Sequence, residues 1–439
     1  MIAVTQSKIV IIGSGIAGLV AACDLARAGK PVVVLEKAEK FGGRAMTIQK
    51  NGALFNLGGH ALYRGGAADR IFREFGLALR GGSPTLNVSV LWNGNVMPLT
   101  RFLFSGRFTW SARVELTRAL AKIMRLDPSA DDVMNINLRT WIEEHFREPM
   151  GRNLLYSLVR TGTFTNAPDR QCAGTALGQV RRSLRPNSVL YVEGGWQSIV
   201  DQLREAAVRA GAELVPSAGV AAIEHDGQVR GLRLTDGSQI EAGHVIAAVP
   251  PSETFRLVRD AERTALRIWK DQAIPATVAC LDLCLRRLPA PRNRVVFGID
   301  EPVFFSNHSG PTPSLAKEGY VVHAVKYHGI GEHDPRKDEA MLERAMDAIQ
   351  PGWRKEVIAR QYYPNLTAVY DYSHIDRLDR APGPAVPQVR GLYVAGDWAG
   401  HGELLVDAAA ASGRRAALKL LDDLRTENVS RLHVASAGR

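Results

Sequence analysis

The N-terminal region contains the pattern that most constrains how this chain can fold. An apolar, β-branched run at residues 8–12 (KIVII) predicts a strand buried on both faces of a parallel sheet. The stretch 13–18 (GSGIAG) follows at once, and residues 19–28 are rich in Ala and Leu and predict a helix. Residues 31–35 (PVVVL) predict a second buried strand, which ends at Glu36. The sequence therefore predicts a βαβ unit with a G-x-G-x-x-G turn and an α/β fold.

Each glycine of this turn has a separate physical role. Gly13 permits the tight turn, Gly15 lets the backbone approach a pyrophosphate, and Gly18 lets the helix pack close to the strand. Free N–H groups and the dipole at the helix start favour the negative charge of a phosphate. Glu36 is placed to accept hydrogen bonds from both hydroxyls of a ribose. The pattern therefore indicates a dinucleotide site.

A second glycine-rich region favours FAD over a nicotinamide cofactor. Residues 41–44 (FGGR) follow the second strand, and residues 57–60 (LGGH) come soon after them. A nicotinamide-binding domain would normally pass directly into another crossover helix. Bare backbone and the cation of Arg44 suit a longer ligand that has a flavin beyond its pyrophosphate.

Length and charge exclude several other classes of protein. At roughly 150 residues per domain, 439 residues predict about two or three domains. The hydrophobic fraction of 46% and the charged fraction of 23% are typical of globular proteins, which excludes a disordered or fibrous chain. The net charge is +10, but the basic clusters are dispersed and no nucleic-acid-binding motif accompanies them. We therefore expect no nucleic-acid partner.

The cysteines indicate the compartment. Four cysteines in a chain of 439 residues make no disulfide framework, and no pair of them has zinc-site spacing. We therefore predict no metal site and a reducing, cytoplasmic location. We also expect no signal peptide, and no uncharged run reaches the roughly 18 residues that a membrane-spanning helix needs.

Motifs along most of the chain resemble those of the flavin-containing amine oxidoreductase superfamily. This superfamily includes amine oxidases, phytoene-type desaturases and protoporphyrinogen oxidases. The resemblance is carried by residues 13–18 with Glu36, 42–44 (GGR), 191–196 (YVEGGW), 391–397 (GLYVAGD) and 407–417 (DAAAASGRRAA).

The resemblance implies a Rossmann-like FAD-binding domain of the GR2 type, built from discontinuous segments, together with an α+β substrate-binding domain. We expect the FAD-binding domain to comprise residues 1–80, 186–250 and 385–425. We expect the substrate-binding domain to comprise residues 81–185 and 251–384, and residues 426–439 to form a polar, frayed tail.

Local patterns predict further elements. Between residues 216 and 250, the D-G turns at Asp226 and Asp236 separate three short strand candidates, which predicts an antiparallel meander. An apolar strand at residues 244–249 follows it. Strand-like runs at 276–285, 295–299 and 319–327 and a helix near 338–349 are predicted further along.

The resemblance also implies which residues hold the cofactor. Asp397 would bind the ribityl chain or reach the pyrophosphate through water, and the backbone of Val220 would contact adenine. N–H groups at the start of the last helix would stabilise negative charge on the reduced ring. The predicted cofactor-binding residues are Gly13, Gly15, Ile16, Ala17, Gly18, Glu36, Lys37, Gly43, Arg44, Gly58, Gly59, His60, Val220, Gly396, Asp397, Leu404, Leu405 and Val406. No Cys lies in the strand that approaches Asp397, so we expect FAD bound non-covalently.

Three residues are candidates for catalysis: His60, His401 and Tyr370. Imidazole titrates near neutrality and can move a proton, although packing against the flavin is the alternative role for each histidine. Residues 370–378 (YDYSHIDRL), which include His374, resemble a Tyr-x-x-Gly-His-x-x-Arg pattern of the desaturases and protoporphyrinogen oxidases.

The subclass is indicated by what surrounds the last helix. Amine oxidases of the superfamily hold the amine between two aromatic side chains, one of them two residues before the acid of that helix. Here the acid is Asp407 and that position is Leu405, so half of the aromatic pair is absent. Lys270 and Lys326 correspond only by rough location to the lysine of the amine oxidases.

These features predict an FAD-dependent oxidoreductase that removes a hydride from a hydrophobic or biosynthetic substrate, as a phytoene desaturase or protoporphyrinogen oxidase does. The electron acceptor would be O2 or a quinone. An amine or amino-acid oxidase that produces hydrogen peroxide is the alternative enzyme. A non-catalytic binding protein of the GDP-dissociation-inhibitor type, whose fold is similar, is the alternative of another class.

One further segment bears on partners. Residues 98–126 mix Phe, Leu and Trp with Arg and Lys and contain a single acid, Glu115. A basic amphipathic segment can lie on an anionic membrane surface, which would make this a peripheral membrane contact. A packed helix pair with its cations in water and a site for an anionic soluble substrate are the alternatives.

Overall fold

The computed structural model describes residues 8–85, 87–106, 108–331, 333–377 and 381–437, with the backbone alone for residues 430–437. In this part of the chain the strands are β1 (Ile9–Ile12), β2 (Val32–Leu35), β3 (Thr47–Lys50), β4 (Ala53–Asn56), β5 (Leu62–Tyr63), β6 (Gly81–Gly82), β7 (Val88–Trp92), β8 (Asn95–Pro98), β9 (Val189–Val192), β10 (Glu213–Val215), β11 (Val220–His225), β12 (Val229–Leu234), β13 (Gln239–Glu241), β14 (His244–Ala247), β15 (Ala276–Leu285), β16 (Val295–Gly298), β17 (Val303–Asn307), β18 (Tyr320–Tyr327), β19 (Val357–Val369) and β20 (Leu392–Val394). The α-helices there are α1 (Ile16–Arg27), α2 (Ala67–Glu74), α3 (Leu99–Leu103), α4 (Trp110–Arg125), α5 (Asp131–Met134), α6 (Leu138–His145), α7 (Pro149–Thr163), α8 (Ala173–Ser183), α9 (Gln197–Arg209), α10 (Pro251–Leu257), α11 (Ala265–Gln272), α12 (Pro335–Ile349) and α13 (Leu405–Ala437).

A parallel sheet of five strands in the order β10-β2-β1-β14-β20 brings distant parts of the chain together. In this sheet Ile9 lies between Val32 of β2 and His244 of β14. All four residues of β1 are buried, as its apolar run predicts. The predicted α/β fold with a parallel sheet at the N-terminus is therefore confirmed.

The two faces of this sheet pack against different layers. Ile9 and Ile11 pack with apolar side chains of α1, α9 and α13 on one face. Val10 and Ile12 pack on the other face with the predicted meander, which forms a separate antiparallel sheet in the order β11-β12-β13. Side chains of a strand alternate between faces, so the four residues of β1 supply both cores.

Close helix packing explains two glycines. A Cβ built on Gly18 would overlap the carbonyl oxygen of Gly13, so the start of α1 can lie close to the turn only with glycine there. A Cβ on Gly413 of α13 would overlap the carbonyl oxygen of Ala17 in α1. Both positions bring α1 against its neighbours at backbone distance.

The remaining segments form a second sheet of seven strands in the order β19-β15-β18-β17-β16-β7-β8. Its predicted strands at residues 276–285, 295–299 and 319–327 correspond to β15, β16 and β18, and the predicted helix near residues 338–349 is α12. A helical cluster that includes residues of α4, α6, α7 and α8 has its own buried core. We keep the division into FAD-binding and substrate-binding domains, with the residue boundaries given above, as a proposal.

The expected tail at residues 426–439 is wrong for the part that the structure describes. The last helix does not end near residue 421 but runs from Leu405 to Ala437. The physical reason is that no Gly or Pro lies between Gly413 and Gly438, so nothing in that stretch breaks the helix. Among the described residues, no helix combines the length and the apolar character that crossing a bilayer requires.

Candidate active site

A cavity of about 580 Å³ lies beyond the carboxyl ends of the parallel strands. The segments that follow β1, β2, β14 and β20 contribute Gly13, Glu36, Ala248 and Gly396 to its wall. The predicted residues that line it are Gly13, Gly15, Ile16, Ala17, Glu36, Lys37, Gly43, Arg44, Gly59, His60, Val220, Tyr370, Gly396, Asp397, Leu405 and Val406. The predicted residues outside its lining are Gly18, Gly58, Leu404 and His401.

The glycine-rich turn leaves room for a phosphate. Gly13 has φ +98°, a conformation that favours glycine, and its N–H donates to the carbonyl of Leu35 at 2.8 Å. A Cβ built on Gly15 would meet no atom within 4 Å, so open space lies beside that backbone. Gly15 is the N-cap of α1, and the first turn of that helix contains no acidic residue. The helix start is therefore free to receive an anion.

Glu36 joins the turn to the end of β2. Its Oε2 accepts hydrogen bonds from the backbone N–H and the hydroxyl of Ser14, at 3.0 and 2.6 Å, and its Oε1 accepts from the N–H of Ala38 at 3.0 Å. These bonds fix the carboxylate in the cavity wall. Oε2 thereby uses both of its lone pairs, whereas Oε1 retains one lone pair for a ribose hydroxyl.

Arg44 and Asp397 connect the beginning and the end of the chain. Arg44 Nη1 lies 2.8 Å from Asp397 Oδ2 and 2.9 Å from the carbonyl of Ala368, and its guanidinium lies 4.5 Å from the centroid of the Tyr370 ring. The same Asp397 oxygen accepts the N–H of Tyr370 at 3.2 Å. Asp397 Oδ1 is buried and has no hydrogen-bond partner among the described residues. A buried acceptor without a donor indicates a ligand group at this point.

His60 is held as a neutral imidazole. Burial lowers its pKa below the ordinary value, and its Nδ1 lies 3.0 Å from the carbonyl oxygen of Gly58. A carbonyl only accepts hydrogen bonds, so Nδ1 carries the proton and Nε2 carries a lone pair. The ring meets the edge of Trp196, with centroids 5.2 Å apart. His60 therefore has the electronic form of a base.

Sequence reasoning missed a cluster of buried polar side chains that lies next to Gly59. His323 Nδ1 lies 2.6 Å from Asp282 Oδ1, and both residues are fully buried. Cys280 and Gln361 also donate to the Asp282 carboxylate, at 2.9 and 3.0 Å. Burial alone would raise the pKa of Asp282, but His323 and the other two donors lower it. The signal in the sequence was one acid inside the apolar run 276–285.

The glycines at residues 58 and 59 fit against this group. Gly58 has φ +86°, and a Cβ there would lie 2.6 Å from a methyl group of Leu366. A Cβ on Gly59 would lie 3.6 Å from His323 Cβ. Gly58 therefore acts beside the cavity, by letting the chain pass close to β15, β18 and β19, rather than in its lining.

Apolar side chains from other elements complete the wall. They include Leu57, Phe164, Val278, Leu366 and Leu405. Phe164 and Leu405 both have φ +56°, which is uncommon for residues with a side chain and places two strained positions at the cavity.

Each carboxylate of the cavity already has at least one polar partner. The carboxylates that line it, among the described residues, are Glu36, Glu253 and Asp397. Glu253 bonds both Nε and Nη2 of Arg256, at 3.0 and 2.7 Å, and the other two have the partners given above. Lys270 and Lys326 do not line the cavity but pair with Asp271 and Asp338, each at 2.8 Å.

His401 lies in a different place from the one predicted. It lines a second cavity of about 400 Å³, together with Asp371, His374 and Arg377, and its Nε2 lies 3.2 Å from the carbonyl of Pro382. The reason is that Glu403 accepts the N–H of His401 at 2.9 Å and is itself held by Arg415, which turns this loop away from the main cavity.

Burial shifts the pKa values of two residues that line the second cavity. The pKa of Asp371 is raised to about 7, and the pKa of His374 is lowered to about 4. Asp397 lines both cavities.

Comparison with known proteins gives one family. The family model for flavin containing amine oxidoreductase matches residues 16–421. A Mycobacterium tuberculosis protein named as a flavin-containing monoamine oxidase is 29% identical over 276 residues, which cover 57% of this chain and 59% of that protein. The neurosporene-forming phytoene desaturase of Rhodobacter capsulatus is 26% identical over 314 residues, which cover 61% of this chain and 57% of the desaturase. The chain thus spans less than two thirds of the length of these curated relatives.

Solved structures share the fold. The crystal structure of an oxidoreductase from Methanosarcina mazei has a TM-score of 0.77 at 20% identity and covers 93% of this chain and 99% of its own. Cyclohexylamine oxidase from Brevibacterium oxydans has a TM-score of 0.71 at 18% identity, and the match covers 96% of this chain and 100% of the oxidase chain.

Proposed function

The chain belongs to the flavin containing amine oxidoreductase family, and from this premise we propose that it removes a hydride from a hydrophobic or biosynthetic substrate, as a desaturase or dehydrogenase does. The observation that carries the proposal is the wall of Leu57, Phe164, Val278 and Leu366, which gives a substrate apolar contacts. We place the enzyme in the cytoplasm, with O2 or a quinone as electron acceptor.

FAD fits the residues of the main cavity. The open space beside Gly15 and the free helix start suit its pyrophosphate, and Glu36 suits its ribose. The unpartnered Oδ1 of Asp397 suits a hydroxyl of its ribityl chain. We propose non-covalent binding because none of the four cysteines, all within the described residues, lines the cavity. Bound there, FAD would supply the two-electron oxidation.

A desaturation also requires a proton acceptor, since loss of a hydride from one carbon must be followed by loss of a proton from its neighbour. His60 suits that role because it lines the cavity as a neutral imidazole with a lone pair on Nε2. Tyr370 lines the same cavity and stacks on Arg44, so we assign it to positioning the Arg44–Asp397 pair. His401, in the second cavity, has no part in this proposal.

An amine oxidase is the second candidate, and the relative from Mycobacterium tuberculosis favours it. The cavity argues against it. Glu253 and Asp397 are paired with Arg256 and Arg44, and the free acceptors of Glu36 and of Asp397 Oδ1 are the ones that suit FAD, so an ammonium group would find no carboxylate of its own. Leu405 lies where an amine-binding aromatic side chain would be expected.

The test is a spectrum of the purified protein followed by anaerobic reduction. We expect a yellow protein whose flavin absorbance is bleached by phytoene or protoporphyrinogen and not by benzylamine or putrescine. Bleaching by the amines, with peroxide formed on admitting air, would replace the proposal by the amine oxidase. A protein that stays colourless after incubation with FAD would support a binding protein without redox activity.

Two variants refine the same test. Leu405→Tyr should retain FAD, because the side chain lines the cavity without making any of the polar contacts described above. Phe164→Ala should retain FAD and slow the bleach by the hydrophobic substrate. If both variants bleach at the unchanged rate, the apolar wall is not the substrate site.

A further inference from the structure

Two large aromatic side chains are exposed where α3 leads into α4, at the surface of the helical cluster described above. Phe104, directly after α3, is 76% exposed, and Trp110, the first residue of α4, is 74% exposed. These are the highest exposures among the large hydrophobic side chains that the structure describes. Single exposed side chains are ordinary, but neighbouring large ones mark a contact surface.

An arginine fixes the two rings beside each other. The guanidinium of Arg113 lies 5.4 Å from the ring centroid of Phe104 and 6.0 Å from that of Trp110. Its Nε donates to the carbonyl of Leu103 at 2.8 Å, which joins the end of α3 to the first turn of α4. The aromatic pair is therefore preorganised, with a cation between the rings.

Helix α4 presents a mixed face to solvent. Its buried side chains recur at helical spacing, at Ala112, Leu116, Ala119 and Ile123. At about 100° per residue, the opposite face carries Trp110 and Met124 along one side and Arg118 and Arg125 along the other. Met124 is 47% exposed, so the apolar side continues along the helix.

The charges of this face are not balanced by acids. Arg118 and Arg125 are exposed, and no carboxylate of the described residues lies within ion-pair distance of either. Lys122 is also exposed and lies 2.8 Å from His145 Nε2. The one acid of α4, Glu115, accepts two backbone N–H groups of the α6–α7 loop at 3.2 Å each and is thereby directed inward.

We propose that this α3–α4 face (Phe104, Trp110, Arg118, Met124 and Arg125) docks on an anionic lipid bilayer. The rings would lie at the headgroup level, and the arginines would contact lipid phosphates. Charge complementarity selects this occupant, because the face combines exposed aromatic rings with uncompensated cations.

Membrane docking deepens the proposed function and rests on it, because an enzyme that acts on a hydrophobic substrate would meet that substrate dissolved in a bilayer. Packing connects the two sites. Side chains of α4 and α7 share one core, and Phe164, directly after the end of α7, lines the main cavity. A docked α4 would therefore hold the helical layer next to the cavity against the lipid surface.

The experiment is cosedimentation of the full-length, flavin-loaded protein with vesicles. One set contains phosphatidylcholine alone, and the other contains phosphatidylcholine mixed with phosphatidylglycerol. We expect binding to the anionic set, with release by high salt. Arg118→Glu/Arg125→Glu and Phe104→Ser/Trp110→Ser should each lower binding by at least about tenfold, since cations and interfacial aromatic rings each contribute to partitioning.

Matched controls lie on other surfaces. Leu418→Ser removes a side chain that is 56% exposed on α13, and Arg209→Glu/Arg259→Glu reverses two exposed charges. Both control proteins should bind the anionic vesicles as the unmodified protein does. Retained flavin absorbance in every variant shows that the protein is folded.

Three results would overturn the proposal: no binding to anionic vesicles, equal binding to both vesicle sets, or unchanged binding of both α3–α4 variants. If vesicles do not bind and Phe104→Ser/Trp110→Ser converts a dimer to a monomer in analytical ultracentrifugation, the face is instead an interface between copies of this chain. The vesicle assay contains no substrate, so vesicle binding by a protein whose flavin no hydrophobic substrate bleaches would refute the proposed function alone.

Discussion

Gly15 and Glu36 contribute to the proposed FAD site by different means, so their substitutions test it independently. Gly15→Val places a branched side chain in the open space beside the turn, and Glu36→Ala removes the carboxylate that would accept from the ribose. A hydrogen bond to a charged group contributes about 1.5–3 kcal/mol, so Glu36→Ala should weaken FAD binding by at least about tenfold. The measurement is flavin absorbance per protein after purification.

The control for this prediction is Gly106→Val. A Cβ at Gly106 also meets nothing within 4 Å, but this residue is far along the chain and does not line the cavity. That variant should remain fully yellow. Full colour in both Gly15→Val and Glu36→Ala would remove the N-terminal turn from the cofactor site.

His374 should make the free energy of unfolding depend on pH. Its native pKa is about 4, against about 6.5 for an exposed histidine, because burial disfavours the charged ring. Below pH 6.5 the unfolded chain binds a proton that the native protein does not accept until about pH 4. The free energy of unfolding should therefore fall as the pH is lowered across this window, by up to about 3 kcal/mol in total.

The neighbouring Asp371 titrates with the opposite sign, since its raised pKa of about 7 makes the native state bind the extra proton. The contribution of His374 is therefore isolated by comparing the free energy of unfolding of His374→Gln with that of the unmodified protein. Both are measured by urea unfolding at pH 7, 6, 5 and 4. The free energy of unfolding of the variant, relative to that of the unmodified protein, should increase as the pH falls. A difference that is constant with pH would mean that the native pKa of His374 is the same as that of an exposed histidine.

Residues within a motif could be predicted, whereas residues that meet through strand pairing could not. Gly15, Glu36 and Arg44 belong to local glycine-rich patterns and line the cavity. Asp282 and His323 are far apart in the chain and become partners because β15 and β18 pair in a register that sets them opposite each other. No pattern in one sequence specifies that register.

At the scale of elements, the contact between α1 and α13 gives a prediction in which two effects oppose each other. Gly413→Ala should raise helix propensity by up to about 1 kcal/mol. The added Cβ would overlap the carbonyl oxygen of Ala17, and a forced shift of a packed helix costs typically about 1–3 kcal/mol. We therefore expect a lower melting temperature.

The matched substitution is Gly106→Ala, where a Cβ meets nothing and the backbone needs no positive φ. That protein should melt within a degree or two of the unmodified one, since replacing an exposed glycine changes stability by about 1 kcal/mol or less. If Gly413→Ala raises the melting temperature instead, the two helices are not in backbone contact.

Elements with strong local patterns could be predicted, and their ends could not. The apolar run at residues 8–12 and the D-G turns of the meander predicted β1 and β11 to β13. The predicted end of α13 is wrong because polar composition alone does not end a helix, and without Gly or Pro the helix continues to Ala437.

At the scale of the whole molecule, the cavity is formed by segments that have few other reasons to meet. One space is lined by the turn after β1, by Val220 of the meander, and by Asp397, Leu405 and Val406 near the other end of the chain. The resemblance of separated motifs predicted this convergence, but the apolar wall also needs Val278 and Leu366, which lie on different strands and carry no motif.

This convergence predicts that FAD stabilises all three segments together. Removing FAD should increase amide hydrogen exchange at residues 13–18, 218–220 and 396–406 in parallel, because a ligand bound only to the native state opposes every opening that breaks its contacts. Peptides from α6 and α12, whose residues do not line the cavity, serve as internal controls and should exchange at unchanged rates. The measurement is exchange followed by mass spectrometry on the yellow protein and its flavin-free form. An increase confined to residues 13–18 would mean that the ligand is held by the N-terminal turn alone, and the meander and the C-terminal segment would then have no role in binding it.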